Sequence, residues 1–169
     1  MGWIRRDRAG HLAVIVAGLA AVLPWNVTYT ATDRATVLFV RFPFFEFQYT
    51  QGFGPGVDGP ALRSVIGAIG LQSGQGLEAA TLVWGGGAVV VFAALLAAGV
   101  AYGREPSDGD TPHPIRRVGW LLAAAALLFA VSTGYIWTGG FGGVPIPVGV
   151  VLLGAFAWVL VTADLTDPD

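Results

Sequence analysis

Side chains able to do acid–base chemistry are sparse in this chain, and the first place to look for them together is the stretch from Asn26 to Glu78. Its ionisable residues are Asp33, Arg34, Arg41, Glu46, Asp58, Arg63 and Glu78. Hydrolysis by general acid and base needs two such groups held side by side, and the spacing of these acids makes no such pair. Arg41 and Glu46 flank Pro43 and can meet across a turn, which reads as a structural ion pair. The histidines are His11 and His113. Together they define a bis-histidine haem or metal site on paper, but Pro112 and Pro114 put His113 in a mobile loop, a poor platform for a ligand. The sequence has no cysteine, which excludes disulfides, thiolate metal sites and cysteine nucleophiles. Asn26-Val-Thr28 is a glycosylation sequon, set too near the expected membrane surface for a glycosyltransferase to reach. These residues give no catalytic constellation and call for no cofactor, so the chain reads as a non-enzymatic protein.

The elements around them are apolar. Of 169 residues, 54% are hydrophobic and 12% charged, with mean hydropathy +0.67. A soluble domain has about 25% charged residues. The net charge of −2 argues against a nucleic-acid partner. The apolar residues come in blocks, which predicts one membrane domain, residues 1–169, with four spans at about 10–27, 77–102, 118–137 and 144–163. Lipid is then a partner. None of these spans carries a charge in its interior, which argues against a proton relay or ion-coupled carrier. A pore lined by hydroxyls such as Ser132 and Thr133 stays open as a reading.

Three arginines precede the first block, and Pro24-Trp25-Asn26 lacks a small-x-small cleavage pattern, so the segment reads as an uncleaved anchor. Arg5, Arg6, Arg8, Arg104, Arg116 and Arg117 fall on one side, which makes both termini and the loop 103–117 cytoplasmic in a multi-pass cell-membrane protein. The long loop 28–76 is then extracytoplasmic. Within it Val27–Thr32, Thr36–Phe42 and Phe44–Tyr49 alternate, predicting two or three short antiparallel strands. Gln51–Pro60 reads as a turn-rich linker and Ala61–Gly70 as a short interfacial helix.

Pro24-Trp25, Val37-Leu-Phe39, Arg116-Arg117-Val-Gly-Trp-Leu-Leu122 and Ile146-Pro-Val-Gly149 resemble a family of small four-span membrane proteins of halophilic archaea. That family is uncharacterised, so the resemblance implies a membrane location and a source, and no activity. The layout of a long first outer loop with strands and a short second one is similar to the claudin-like tetraspan plan in architecture only, since the claudin cysteine pair is missing.

The expected fold is an all-α membrane protein, four transmembrane helices in a bundle with a small extracytoplasmic β-rich cap between helices 1 and 2. The expected role is a membrane scaffold or accessory subunit, as a homo-oligomer or part of a larger complex. Its candidate packing positions are Gly18, Gly85, Gly86, Gly87, Gly99 and Gly154. Phe42, Phe44, Phe45, Phe47 and Tyr49 are the candidate partner contacts. The alternatives are a small transporter or channel, with the second helix broken at Gly85–Gly87 opposite the Pro145/Pro147 helix start, and a haem-binding redox subunit.

Overall fold

The computed structural model describes residues 4–103, 114–139 and 143–166. Trp3, Arg104, His113, most of the loop 103–117 and the middle of the Gly139–Gly143 turn lie outside the described residues. The element order is β1 (Ile4–Arg5), α1 (Arg6–Val22), β2 (Asn26–Ala31), β3 (Thr36–Arg41), β4 (Phe45–Gln51), β5 (Gly59–Ser64), α2 (Val65–Gln72), α3 (Glu78–Gly103), α4 (Pro114–Thr138), β6 (Val144–Ile146), α5 (Val148–Val161) and β7 (Leu165–Thr166). Strands β2 to β6 form one antiparallel sheet in the order β5-β4-β3-β2-β6, and β1 pairs with β7 in parallel. The sheet closes one end of a helical layer and the β1–β7 pair lies at the other.

This overturns the expected all-α four-span bundle. The sheet is a full layer of five strands, and among the described residues two helices, α3 and α4, are long and apolar enough to cross a membrane by length and composition. Helices α1 and α5 have 17 and 14 residues, short of the roughly 20 that a bilayer core asks for. The first block ends early because Pro24 offers no amide donor and the β-branched run from Val27 favours extended backbone. The last block starts late because Val144-Pro-Ile146 is spent as an edge strand on β2, where Val27 pairs with Ile146 and Tyr29 with Val144. Pro145 pairs with Thr28 there rather than opening a helix.

The expected linker and interfacial helix are also redrawn. Gly59–Ser64 is the outer strand β5, where Pro60 is tolerated because an edge strand needs fewer donors. The helix begins only at Val65, with the Ser64 hydroxyl accepting from Gly67 N–H at 3.1 Å. Between β4 and β5 the chain turns at Gly52, whose φ of +90° and closeness to the Arg34 carbonyl leave no room for a side chain.

Three buried rings join sheet to helices. Trp25, just before β2, stacks on Phe129 of α4 with centroids 5.0 Å apart and an 11° interplanar angle. Trp84 of α3 lies 6.0 Å from Trp25. Both indole N–H groups donate to the Phe42 carbonyl, at 3.2 and 3.1 Å, and Trp84 also donates to Pro43 at 2.9 Å. The β3–β4 turn, closed by Phe42 N–H to the Phe45 carbonyl at 2.8 Å, is thereby fastened to α3 and α4. Around this point α4 packs on α3 and α5, and α3 on α1.

Gly87 faces the Phe129 ring so closely that any Cβ would collide with it. Because Phe129 is fully buried and stacked, it cannot swing away. Gly87→Ala should therefore destabilise the protein by about 1–3 kcal/mol, seen as a lower thermal midpoint. Gly99→Ala, with nothing within 4 Å of the new methyl, should be neutral or stabilising by up to about 1 kcal/mol.

Candidate functional site

Side chains alternate across a strand, so register decides which residues share a face. Here Asn26 pairs with Arg41, Arg41 with Glu46, and Glu46 with Arg63. The four stand in one row across β2, β3, β4 and β5. Beside them run Thr28, Phe39, Gln48 and Ala61. Asn26 and Thr28 are fully buried and Arg41 and Glu46 nearly so, which places this face against the helices.

The row is tightly bonded. Arg41 Nε lies 3.3 Å from Glu46 Oε2, and Arg41 Nη1 donates to Asn26 Oδ1 at 3.1 Å and Thr28 Oγ1 at 3.0 Å. The Thr28 hydroxyl donates to Asn26 Oδ1 at 2.8 Å. Arg63 Nη1 donates to Glu46 Oε1 at 3.4 Å and to Gln48 Oε1 at 2.5 Å. The guanidinium of Arg41 sits 4.7 Å from the Phe39 ring centroid. Burial lowers its pKa from the ordinary value, while the charge and hydrogen bond of Glu46 oppose that shift. Asn26 Nδ2 is buried without a protein partner.

Arg41, Glu46 and Arg63 of this row, with Phe39 and Gln48 beside them, form one wall of a cavity of about 190 Å³. The opposite walls are Leu71 and Gln72 of α2, Leu77 at the start of α3, Thr81 and Trp84 of α3, and Ser132 and Ile136 of α4. Ser132 Oγ donates to the Ala80 carbonyl at 2.9 Å and Thr81 Oγ1 to Glu78 at 2.9 Å, so each hydroxyl spends its proton and keeps lone pairs. The single carboxylate here gives no acid–base pair. A charged hollow of this kind can bind and orient. Among the described residues no group of three or more His, Cys, Asp or Glu comes together to hold a metal ion.

The expected Arg41–Glu46 pair is present across the Phe42–Phe45 turn. Arg63 completes it and was not foreseen, because Gly59-Pro60 disguised the alternation of β5. The five aromatic candidates divide. Phe44 packs against the helical core, and it also lines an apolar groove of about 450 Å³ with Ile66, Ile69 and Phe92. Phe42 and Phe45 stack on each other at 4.5 Å. Phe47 and Tyr49 stand on the sheet face turned away from the helices, Tyr49 exposed and Phe47 half-buried.

The glycines divide as well. A Cβ at Gly85 would meet Ile69 Cδ1 at 2.8 Å, one at Gly86 would meet Leu128 at 4.0 Å, and one at Gly87 would strike Phe129. Gly18, Gly99 and Gly154 have nothing within 4 Å. α3 runs through Gly85–Gly87 unbroken, which leaves the transporter or channel alternative without its helix break. His11 is exposed at the far end of the helices, edge-on to Tyr102 at 4.8 Å. The sequon asparagine is fully buried in the polar row and is closed to modification.

A family model described as a family of unknown function (DUF7549) matches residues 2–165, and the chain belongs to that family. A comparison with curated proteins found no match.

Removing one partner of a buried ion pair strands the other charge. Arg41→Met should cost about 3–5 kcal/mol in thermal or denaturant unfolding. Adding Glu46→Leu to it should recover much of that loss, because the stranded carboxylate is then gone as well.

Proposed function

We propose that the protein is a non-enzymatic membrane accessory subunit, held in lipid by its helical layer and associating with further copies of itself through the outer face of its sheet. The observation that carries this is the inverted sheet. Its helix-facing side bears the polar row, and its outer side bears two continuous apolar rows. One runs Ile146, Val27, Val40, Phe47, Leu62 and the other Val144, Tyr29, Leu38, Tyr49, Pro60. Leu62, Val144, Tyr29 and Ile146 are exposed by 69, 59, 56 and 52%. A contiguous apolar face of this kind marks an interaction surface.

Lipid contact is supported by the helices. On α3 the exposed residues include Leu82, Val89, Phe92, Leu96 and Val100, and on α5 Val151 and Trp158. α3 has 26 residues, about 39 Å at 1.5 Å per residue, and α4 has 25. Arg116 and Arg117 are exposed at the end remote from the sheet, which by the positive-inside rule supports reading that end as the cytoplasmic one.

A copy of the same chain is the occupant because the two rows carry no charge for a different partner to complement, and an uncharged apolar face is complementary to itself. Five strands give a face on the order of 400 Å², below the roughly 800 Å² per partner of a stable interface. The open positions Gly18, Gly99 and Gly154 lie on the sides of the helices, away from this face, and would serve a separate lateral contact between copies in the membrane.

Native mass spectrometry from mild detergent should show the wild-type chain as a defined homo-oligomer. Leu62→Glu combined with Ile146→Glu should give monomer with a thermal midpoint within a few degrees of wild type. A monomeric wild type, or a fixed ratio of a different polypeptide on this face, would refute self-association.

A further inference from the structure

The polar row holds two guanidinium groups, Arg41 and Arg63, against one carboxylate, Glu46. All three line the cavity, and among the described residues no other Asp, Glu or His does. A net positive charge therefore stands between the sheet and the helices, Arg41 buried and Arg63 partly open to solvent. Uncompensated charge in such a place is costly, and here it borders open volume. The cavity, about 190 Å³, is many times the roughly 15 Å³ that one water needs.

We propose that this cavity binds a small oxyanion, a carboxylate or phosphate group, between Arg63 and Arg41. The geometry supports it in three ways. Arg63 lines the cavity and is a third exposed along its side chain, with Nη1 tethered by Glu46 and Gln48. Arg41 is fixed from below through Nε and Nη1, and Nη2 carries none of these bonds. A planar guanidinium held in this way is pre-organised for an oxyanion. Opposite the arginines, Leu71, Leu77 and Ile136 give the cavity an apolar wall. The ligand is thus an oxyanion carrying a short apolar portion, supplied either by a free organic acid or by the headgroup of an anionic lipid. This reading is independent of self-association, since the cavity lies on the opposite face of the sheet from the two apolar rows.

The test uses the purified full chain. Hexanoate and inorganic phosphate are titrated by calorimetry in neutral detergent. Retention of phosphatidylglycerol against phosphatidylcholine is read by native mass spectrometry from mixed nanodiscs. At least one probe should bind one to one. Hexanoate or phosphate binding identifies a free anion, and selective phosphatidylglycerol retention identifies a headgroup. Arg63→Gln, at a half-buried position where the amide can still bond Glu46, should weaken binding about tenfold or more, as expected for a lost charge-assisted hydrogen bond. Arg63→Lys should restore part of it. Glu46→Gln, which removes the competing carboxylate and strands Arg41, should lower the thermal midpoint of the free protein, tighten anion binding and enlarge the midpoint gain on adding the anion. No binding of any probe, or binding unchanged by Arg63→Gln with the fold intact, would overturn the proposal.

Discussion

The structure depends on a cation buried in the middle of a sheet. Arg41 cannot be left alone between β2 and β4, so Asn26, Thr28 and Glu46 must sit where they do, and their places set the register of three strands. A slip of one residue would turn the guanidinium toward the outside and bury Val40 in its place. The ion pair is therefore better understood as a device for pairing specificity than as a source of net stability, because desolvation offsets much of its Coulomb attraction. The same commitment sends the alternating apolar residues outward, which produces the exposed face.

The second constraint is the shared acceptor at Phe42. Two indoles from different parts of the chain converge on one carbonyl at the β3–β4 turn. That convergence ties sheet to helices without a covalent link, in a chain that has no cysteine. It also holds the cavity open on one side, since Trp84 belongs to both the clamp and the wall. Any displacement of the polar row would be felt by Trp25, whose backbone N–H donates to the Arg41 carbonyl at 2.8 Å.

How much of this could be read beforehand depended on whether the pattern was local. The second apolar block was legible almost to the residue, since nothing interrupts α3 from Glu78 to Gly103. Strands β2, β3 and β4 announced themselves by alternation. The Arg41–Glu46 pair was legible because a four-residue turn separates its members. What failed was non-local. Val144-Pro-Ile146 joins the sheet only because β2 offers a free edge, and Gly59–Ser64 does so only because β4 does. Hydropathy assigned the first to a helix, and Gly-Pro punctuation assigned part of the second to a linker. The packing role of Gly87 was legible as a small residue, but its partner Phe129 was not. Outward positions such as Gly18 carry the same letter with no neighbour to fill them.

The position of β6 has a consequence for how the molecule assembles. Strands β2 to β5 are contiguous in the chain and can zip together as hairpins while the rest is still unmade. The far edge of β2 then waits, unpaired, through the synthesis of α2, α3 and α4 before Val144–Ile146 arrives to cover it. An open edge beside an apolar face is a template for the wrong strand. Contacts so distant in sequence also close slowly. The brevity of β6, three residues with a proline at the centre, makes its docking the step at which the newly made chain is most exposed to mispairing with its neighbours.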